Sequence, residues 1–203
     1  FRFGVPAPAQ REFFGDEGAA RLYEQAVDRL EALGGRRVEV DLAPFRAAAD
    51  LLYEGPWVAE RLAAIGPFVD AHPEAVHPVV RAILDRARSL GAVDVFHGMH
   101  RLEALRRAAD AQWAGMDMLV LPTTGTIYRR AAIEADPIRL NANLGHYTNF
   151  VNLLDCCALA VPAGVRPSGL PFGISLIAPA FRDELLCGLG APWQRRLDQP
   201  VAD

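Results

Sequence analysis

The chain has 203 residues, of which 51% are hydrophobic and 23% charged, and its formal net charge is −4. Those proportions exclude a disordered tail and a collagen-like rod, and they suffice for a buried core of ordinary domain size. A mildly acidic chain also lacks the concentrated positive charge that a nucleic-acid binder presents, so nucleic acid is not an expected partner.

Residues 2–7 are expected to form a short strand. Asp16 then offers an N-cap to a helix in which Ala19, Leu22, Tyr23, Ala26, Val27, Leu30 and Leu33 recur at helical spacing, ended by Gly34 and Gly35. Val38, Val40 and Leu42 alternate with Arg37, Glu39 and Asp41, which is the period of a half-buried strand and completes a β-α-β unit. From Pro44 to Trp113 the pattern is helical, with breaks expected at Gly55-Pro56, Gly66-Pro67, His72-Pro73 and Gly91. One apolar stripe there holds Val79, Val80, Ile83, Leu84 and Ala87. Another holds Val95, Phe96, Met99, Leu102, Ala109 and Trp113.

Met116 to Leu121 is short and apolar enough for a buried strand that Pro122 ends, and Thr123 to Thr126 follow as a polar loop at its C-terminal end. A loop containing Pro137 and Asn141 to Gly145 leads to a short helix from Thr148, its expected cap, to about Asp155. Strands are expected over 158–165 and 172–178, joined by the turn Arg166-Pro-Ser-Gly169, with a helix after Arg182. The fold class is therefore α/β, a layered mixed sheet with flanking helices and a helical insertion. One unit spans residues 1–190, and residues 191–203 are expected to fray.

All 21 basic residues are Arg, so a lysine base, Schiff base or P-loop lysine has no source among these residues. The serines are Ser89, Ser168 and Ser175, none in a GxSxG elbow. Cys156, Cys157 and Cys187 form an odd set, two of them adjacent, which suits a reducing cytoplasm better than a disulfide framework. His97 and His100 share a helix face but have no third ligand at a recognisable spacing, so no metal and no cofactor is expected. No apolar run reaches the roughly 20 residues of a membrane span. The absence of an initiator Met at Phe1 suggests an internal piece of a longer chain.

Tyr53 and Arg61 form the candidate binding pair. A guanidinium fork and a phenol suit a small carboxylate, but eight residues of straight helix would separate the two by roughly 12 Å. Convergence on one ligand requires a bend at Gly55-Pro56. Read on spacing alone, a core tyrosine and an unrelated surface arginine remain the alternative.

The segment Tyr147-Thr-Asn-Phe-Val-Asn-Leu-Leu-Asp-Cys-Cys-Ala-Leu-Ala-Val-Pro-Ala-Gly, with Gly169-Leu-Pro-Phe-Gly-Ile-Ser-Leu-Ile-Ala-Pro, resembles the C-terminal half of the amidase signature family. The run ending at Arg61, Leu121-Pro-Thr-Thr-Gly-Thr-Ile-Tyr128 and Asn141-Ala-Asn-Leu-Gly145 are similar to the allophanate hydrolase branch of that family. The resemblance covers about residues 1–186. It implies an incomplete amidase signature fold and hydrolysis of allophanate, urea-1-carboxylate, to ammonia and carbon dioxide in urea or cyanuric acid degradation. It also implies that Tyr53 and Arg61 bind the substrate. The family's two serines and lysine would lie upstream of Phe1, so this chain would carry no catalytic residue. The implied partners are the small-molecule substrate and, functionally, urea carboxylase, with a homodimer possible in principle and no membrane. Rival readings are another amidase-signature amidohydrolase or amidotransferase subunit, and a non-catalytic anion-binding module.

Overall fold

The computed structural model describes residues 1–197. Strand β1 (Arg2–Pro6), helix α1 (Glu17–Ala32) and strand β2 (Arg36–Val40) form the expected β-α-β unit, with β1 and β2 parallel. Helices α2 (Ala43–Glu54), α3 (Trp57–Ala71), α4 (Pro78–Arg86) and α5 (Ala92–Trp113) follow, then strand β3 (Met118–Pro122). Helices α6 (Arg130–Ala135), α7 (Pro137–Leu144) and α8 (Phe150–Leu153) lead to the hairpin of β4 (Cys156–Val165) and β5 (Pro171–Pro179), and α9 (Asp183–Leu197) closes the described chain. The five-stranded sheet has the order β2-β1-β3-β5-β4; β1 is parallel to β2 and β3, whereas β5 is antiparallel to β3 and β4.

The period of β3 explains the layering. Successive side chains of a strand point to opposite faces, and every residue of β3 is buried because helices cover both. Met118 and Val120 join Phe3, Val5, Ile174 and Leu176 under α1 and α9, where Tyr23, Leu30 and Trp193 are fully enclosed. Leu119 and Leu121 face α2, α5 and α8, packing with Phe45, Ala48, Leu102 and Phe150. Tyr23 donates its hydroxyl to the Val120 carbonyl at 2.8 Å, which satisfies the one polar atom it carries into the core.

Asp16 is more than the expected helix cap. One carboxylate oxygen accepts from the Ala19 amide at 2.8 Å, and the other accepts from Thr126 and from Arg166 Nε, each at 3.3 Å. This ties the loop after β3 and the β4–β5 turn to the start of α1.

Several local expectations are corrected. Helix α3 runs through Gly66-Pro67, because Gly66 and Val69 are buried on its packed face and tertiary contact outweighs the lost backbone bond. The segment read as a loop around Pro137 holds two helices. Asp136 caps α7 by accepting from the Arg139 amide, and Pro137 sits in its first turn, where a missing N–H costs nothing. Helix α8 starts after Asn149 rather than from a Thr148 cap, and Asn149 makes no side-chain cap bond. The apolar stripe of α4 is only half used: Leu84 and Ala87 are buried, Val79 and Ile83 are half-buried, and Val80 is exposed. On α5, Leu102 and Ala109 are buried, but Phe96 and Met99 are exposed.

The last correction concerns the expected frayed end. Helix α9 continues through Pro192, and Trp193 is 0% exposed, with its indole N–H donating to the Pro162 carbonyl at 2.7 Å and the Arg29 guanidinium 4.9 Å from its ring centroid. The remainder of that expected tail, residues 198–203, lies outside the described residues. No helix among the described residues is long and apolar enough to cross a membrane.

His146 carries a measurable consequence of packing. It lies between the rings of Phe14 and Tyr147, with centroids at 5.4 and 4.7 Å, and its carbonyl accepts from Arg46. Burial, and secondly the Arg46 charge, push its pKa down to about 4. An unfolded chain takes up the proton near the ordinary value of about 6.5, whereas the folded chain resists it until about 4. Stability fully present above pH 6.5 is therefore lost as pH falls toward 4. Thermal melts across this window should fall more steeply for the wild type than for His146→Gln; equal slopes would count against this account.

Candidate functional site

The two candidate binding residues meet at the junction of α2 and α3. Tyr53 lies in the last turn of α2, Gly55 ends that helix by donating its N–H to the Leu51 carbonyl at 3.1 Å, and Pro56 precedes the first residue of α3. Two glycines permit the bend. A Cβ at Gly55 would lie 2.6 Å from the Leu51 carbonyl oxygen, and one at Gly98, on α5, would lie 2.3 Å from the Pro56 ring. Only a residue without a side chain allows α5 to approach the bend this closely.

The bend returns Arg61 over Tyr53, with the guanidinium carbon 4.9 Å from the ring centroid. This is stacking distance for a cation on an aromatic face. Both side chains are half-buried. No acceptor among the described residues engages the Arg61 guanidinium, and the Tyr53 hydroxyl is likewise uncommitted. Several arginines among the described residues are already paired, among them Arg2 with Asp117, Arg88 with Asp70 and Asp85, and Arg139 with Asp136. Arg61 is held by its stacking while its fork of donors stays available.

Both residues line one cavity of about 490 Å³. Helix α4 supplies Val79, Ile83 and Leu84 to its wall, and α6 and α7 supply Ile133, Ile138 and Asn141. Arg86 adds a second guanidinium and Glu54 a carboxylate, while the His77 ring accepts from the Val79 amide at 3.3 Å. A pocket of this size with apolar walls and a few convergent polar groups is the usual setting for a small ligand. Low polarity around Arg61 also strengthens its attraction for an anion relative to open solvent.

The loop after β3 takes no part in this cavity. Thr123 bonds the Ser175 hydroxyl at 3.0 Å, Thr124 donates to the Thr126 carbonyl at 3.0 Å, and Thr126 is bound to Asp16. These threonines form the polar turn expected after β3. His97 and His100 are both exposed on α5, and no group of three or more His, Cys, Asp or Glu residues among the described residues is placed to hold a metal. The three cysteines are free; Cys187 is exposed, while Cys156 is half-buried and its thiol is pushed up to about 12, chiefly by burial. Arg86 and Asn141 were not singled out from the sequence as binding groups. Asn141 stood within a recognised motif, but only the unexpected helix α7 turns it toward the cavity.

Residues 1–187 match the family described as Amidase. The chain is 36% identical to the urea amidolyase of Saccharomyces cerevisiae over 187 residues, which cover 91% of this chain and 10% of that protein. Its structure resembles that of the Kluyveromyces lactis allophanate hydrolase with a TM-score of 0.89 and 34% identity, covering 93% of this chain and 31% of the other. A crystal structure of an amidase superposes with a TM-score of 0.77 at 23% identity, over 96% of this chain and 45% of that one, a likeness of fold. The chain thus spans about a tenth of the length of the urea amidolyase it matches and less than a third of the allophanate hydrolase.

Proposed function

Because this chain belongs to the amidase family, we propose that it forms the carboxylate-recognising part of an allophanate hydrolase, an amidohydrolase that converts urea-1-carboxylate to ammonia and carbon dioxide. The observation that carries this reading is the Arg61 guanidinium, stacked on Tyr53 and unpaired in an apolar cavity. The likeness to urea amidolyase and to allophanate hydrolase supports the choice of substrate.

The chemistry of recognition follows from the substrate. Allophanate differs from a simple amide by its carboxylate, and a guanidinium meets a carboxylate with two parallel N–H donors. The Tyr53 hydroxyl adds a third. Binding a neutral amide would leave those donors desolvated and without acceptors, a cost that discriminates against it. Arg61 and Tyr53 thereby orient the substrate, leaving its amide carbonyl to be attacked by a nucleophile.

In this reading the nucleophilic serine, the bridging serine and the lysine base of the family belong to residues outside the present chain. The complete absence of lysine from the 203 residues supports that division of labour. Tyr53 and Arg61 are accordingly binding residues, and no residue of this chain is assigned a catalytic role. Since allophanate is carboxylated urea, the reaction that supplies it is a urea carboxylation, which links the chain functionally to urea carboxylase in the cytoplasm.

The test is a comparison of kcat/KM for allophanate and for acetamide, in a protein that joins this chain to the nucleophile and base. The proposal requires a preference for allophanate of at least about a hundredfold, well within what an unpaired polar site can impose. Equal values would overturn it.

A further inference from the structure

We propose that Asn141 reads the neutral, ureido end of the ligand whose carboxylate Arg61 and Tyr53 hold. The inference rests on the reading of this cavity as a carboxylate site. Its starting point is the arrangement of α7. Leu140 is 7% exposed, and Asn143 donates its amide to the Tyr128 hydroxyl at 2.8 Å, so these two residues fix the packed side of the helix. At the N-terminus, Asp136 accepts from Arg139 Nε at 2.7 Å and sets the first turn. Pro137, Ile138, Asn141 and Ala142 then fall on one stripe, at the spacing that places residues on a common helix face, and all four line the cavity.

Asn141 is the only polar member of that stripe, and its side chain has no partner among the described residues. Its role follows from what each lining group can offer. Arg61 and Arg86 only donate hydrogen bonds, and an ionised Glu54 only accepts. Asn141 is the one carboxamide among the lining residues, with a carbonyl acceptor and an NH2 donor side by side. A ureido group presents the complementary pair, an NH2 donor beside a carbonyl acceptor. The two can meet through paired hydrogen bonds, whereas a second carboxylate would face the Asn141 carbonyl with no proton to give. Ile83, Ile133 and Ile138 border the same space. Arg61 of α3 and Asn141 of α7 line the same cavity of about 490 Å³, a volume within the range of small-ligand sites. Asn141 is thus a specificity-determining residue that distinguishes a carboxylate carrying an amide from one without it.

Two probes separate the ends of the ligand. Malonamate replaces the bridging NH of allophanate by CH2 and retains the carboxylate and the primary amide; acetate retains the carboxylate alone. Titration of the isotopically labelled 203-residue chain by NMR should show malonamate bound about tenfold more tightly than acetate, the size of one or two net hydrogen bonds. Asn141→Ala should collapse that ratio to near unity. The acetate affinity of Asn141→Ala should stay at the wild-type value, which separates the collapse from a general loss of structure. Arg61→Ala should weaken both probes. A ratio that survives Asn141→Ala while Arg61→Ala weakens both would overturn the role of Asn141 and leave the carboxylate site standing. Unchanged binding of both probes by Arg61→Ala, or no binding of either by the wild type, would overturn the carboxylate site and this inference with it.

Discussion

Replacing Arg61 with alanine, in a protein that joins this chain to its catalytic groups, is expected to lower kcat/KM for allophanate by roughly 30-fold to several-thousand-fold. The range corresponds to the 2–5 kcal/mol typical of truncating one partner of a hydrogen-bonded charge pair. Arg61 makes no ion pair among the described residues, so its removal strands no partner charge in the fold. Arg61→Lys keeps the charge but loses the planar fork, so it should recover only part of the loss. Tyr53→Phe keeps the stacked ring and removes one donor, and the expected decrease is only about three- to tenfold. Steady-state kinetics on the three variants provides the check. Near-normal turnover by Arg61→Ala would remove the residue from the site.

The largest effect on stability is expected at Trp193. The side chain is fully enclosed between α9 and the sheet, its N–H bonds the Pro162 carbonyl, and Arg29 lies over its ring. Trp193→Ala should cost about 3–5 kcal/mol through lost burial and the resulting cavity, with an additional unpaired carbonyl on β4. For a domain of this size that corresponds to a fall in Tm of roughly 6–20 °C. Trp193→Phe retains most of the apolar volume and should lose clearly less. Calorimetry or thermal melts would decide, and a melt of Trp193→Ala indistinguishable from wild type would mean that α9 contributes little to the core.

The difference between Trp193 and the rest of the core shows where sequence reading loses its grip. Strands β1, β2, β3 and the β4–β5 hairpin were legible because alternation and short apolar runs are local signals that the pleat translates directly into burial. The capping role of Asp16 was legible for the same reason. Pro192, by contrast, looked like the end of order, yet the helix passes through it because Trp193 gains more from the core than one backbone bond is worth. Pro67 in α3 follows the same logic. At Pro137 the local signal is ambiguous, since Asp followed by Pro suits a turn as well as a helix start in which the proline occupies the first position.

The candidate site was legible in composition and not in geometry. Tyr53 and Arg61 could be chosen for their chemistry, but their convergence depends on a bend whose tightness is set by Gly98, a residue distant in sequence that admits the Pro56 ring. No periodicity within residues 53–61 contains that information. Asn141 is a similar case. Its motif was visible, but its facing is fixed by Leu140, by Asn143 on Tyr128 and by a helix that the proline had hidden.

Crystals of the chain soaked with malonamate would test the recognition of a carboxylate most directly. The account predicts the ligand in the α2–α3–α7 cavity, its carboxylate oxygens within hydrogen-bond distance of the Arg61 guanidinium and the Tyr53 hydroxyl. A ligand whose carboxylate is held by other residues, with Arg61 left stacked and unengaged, would contradict it.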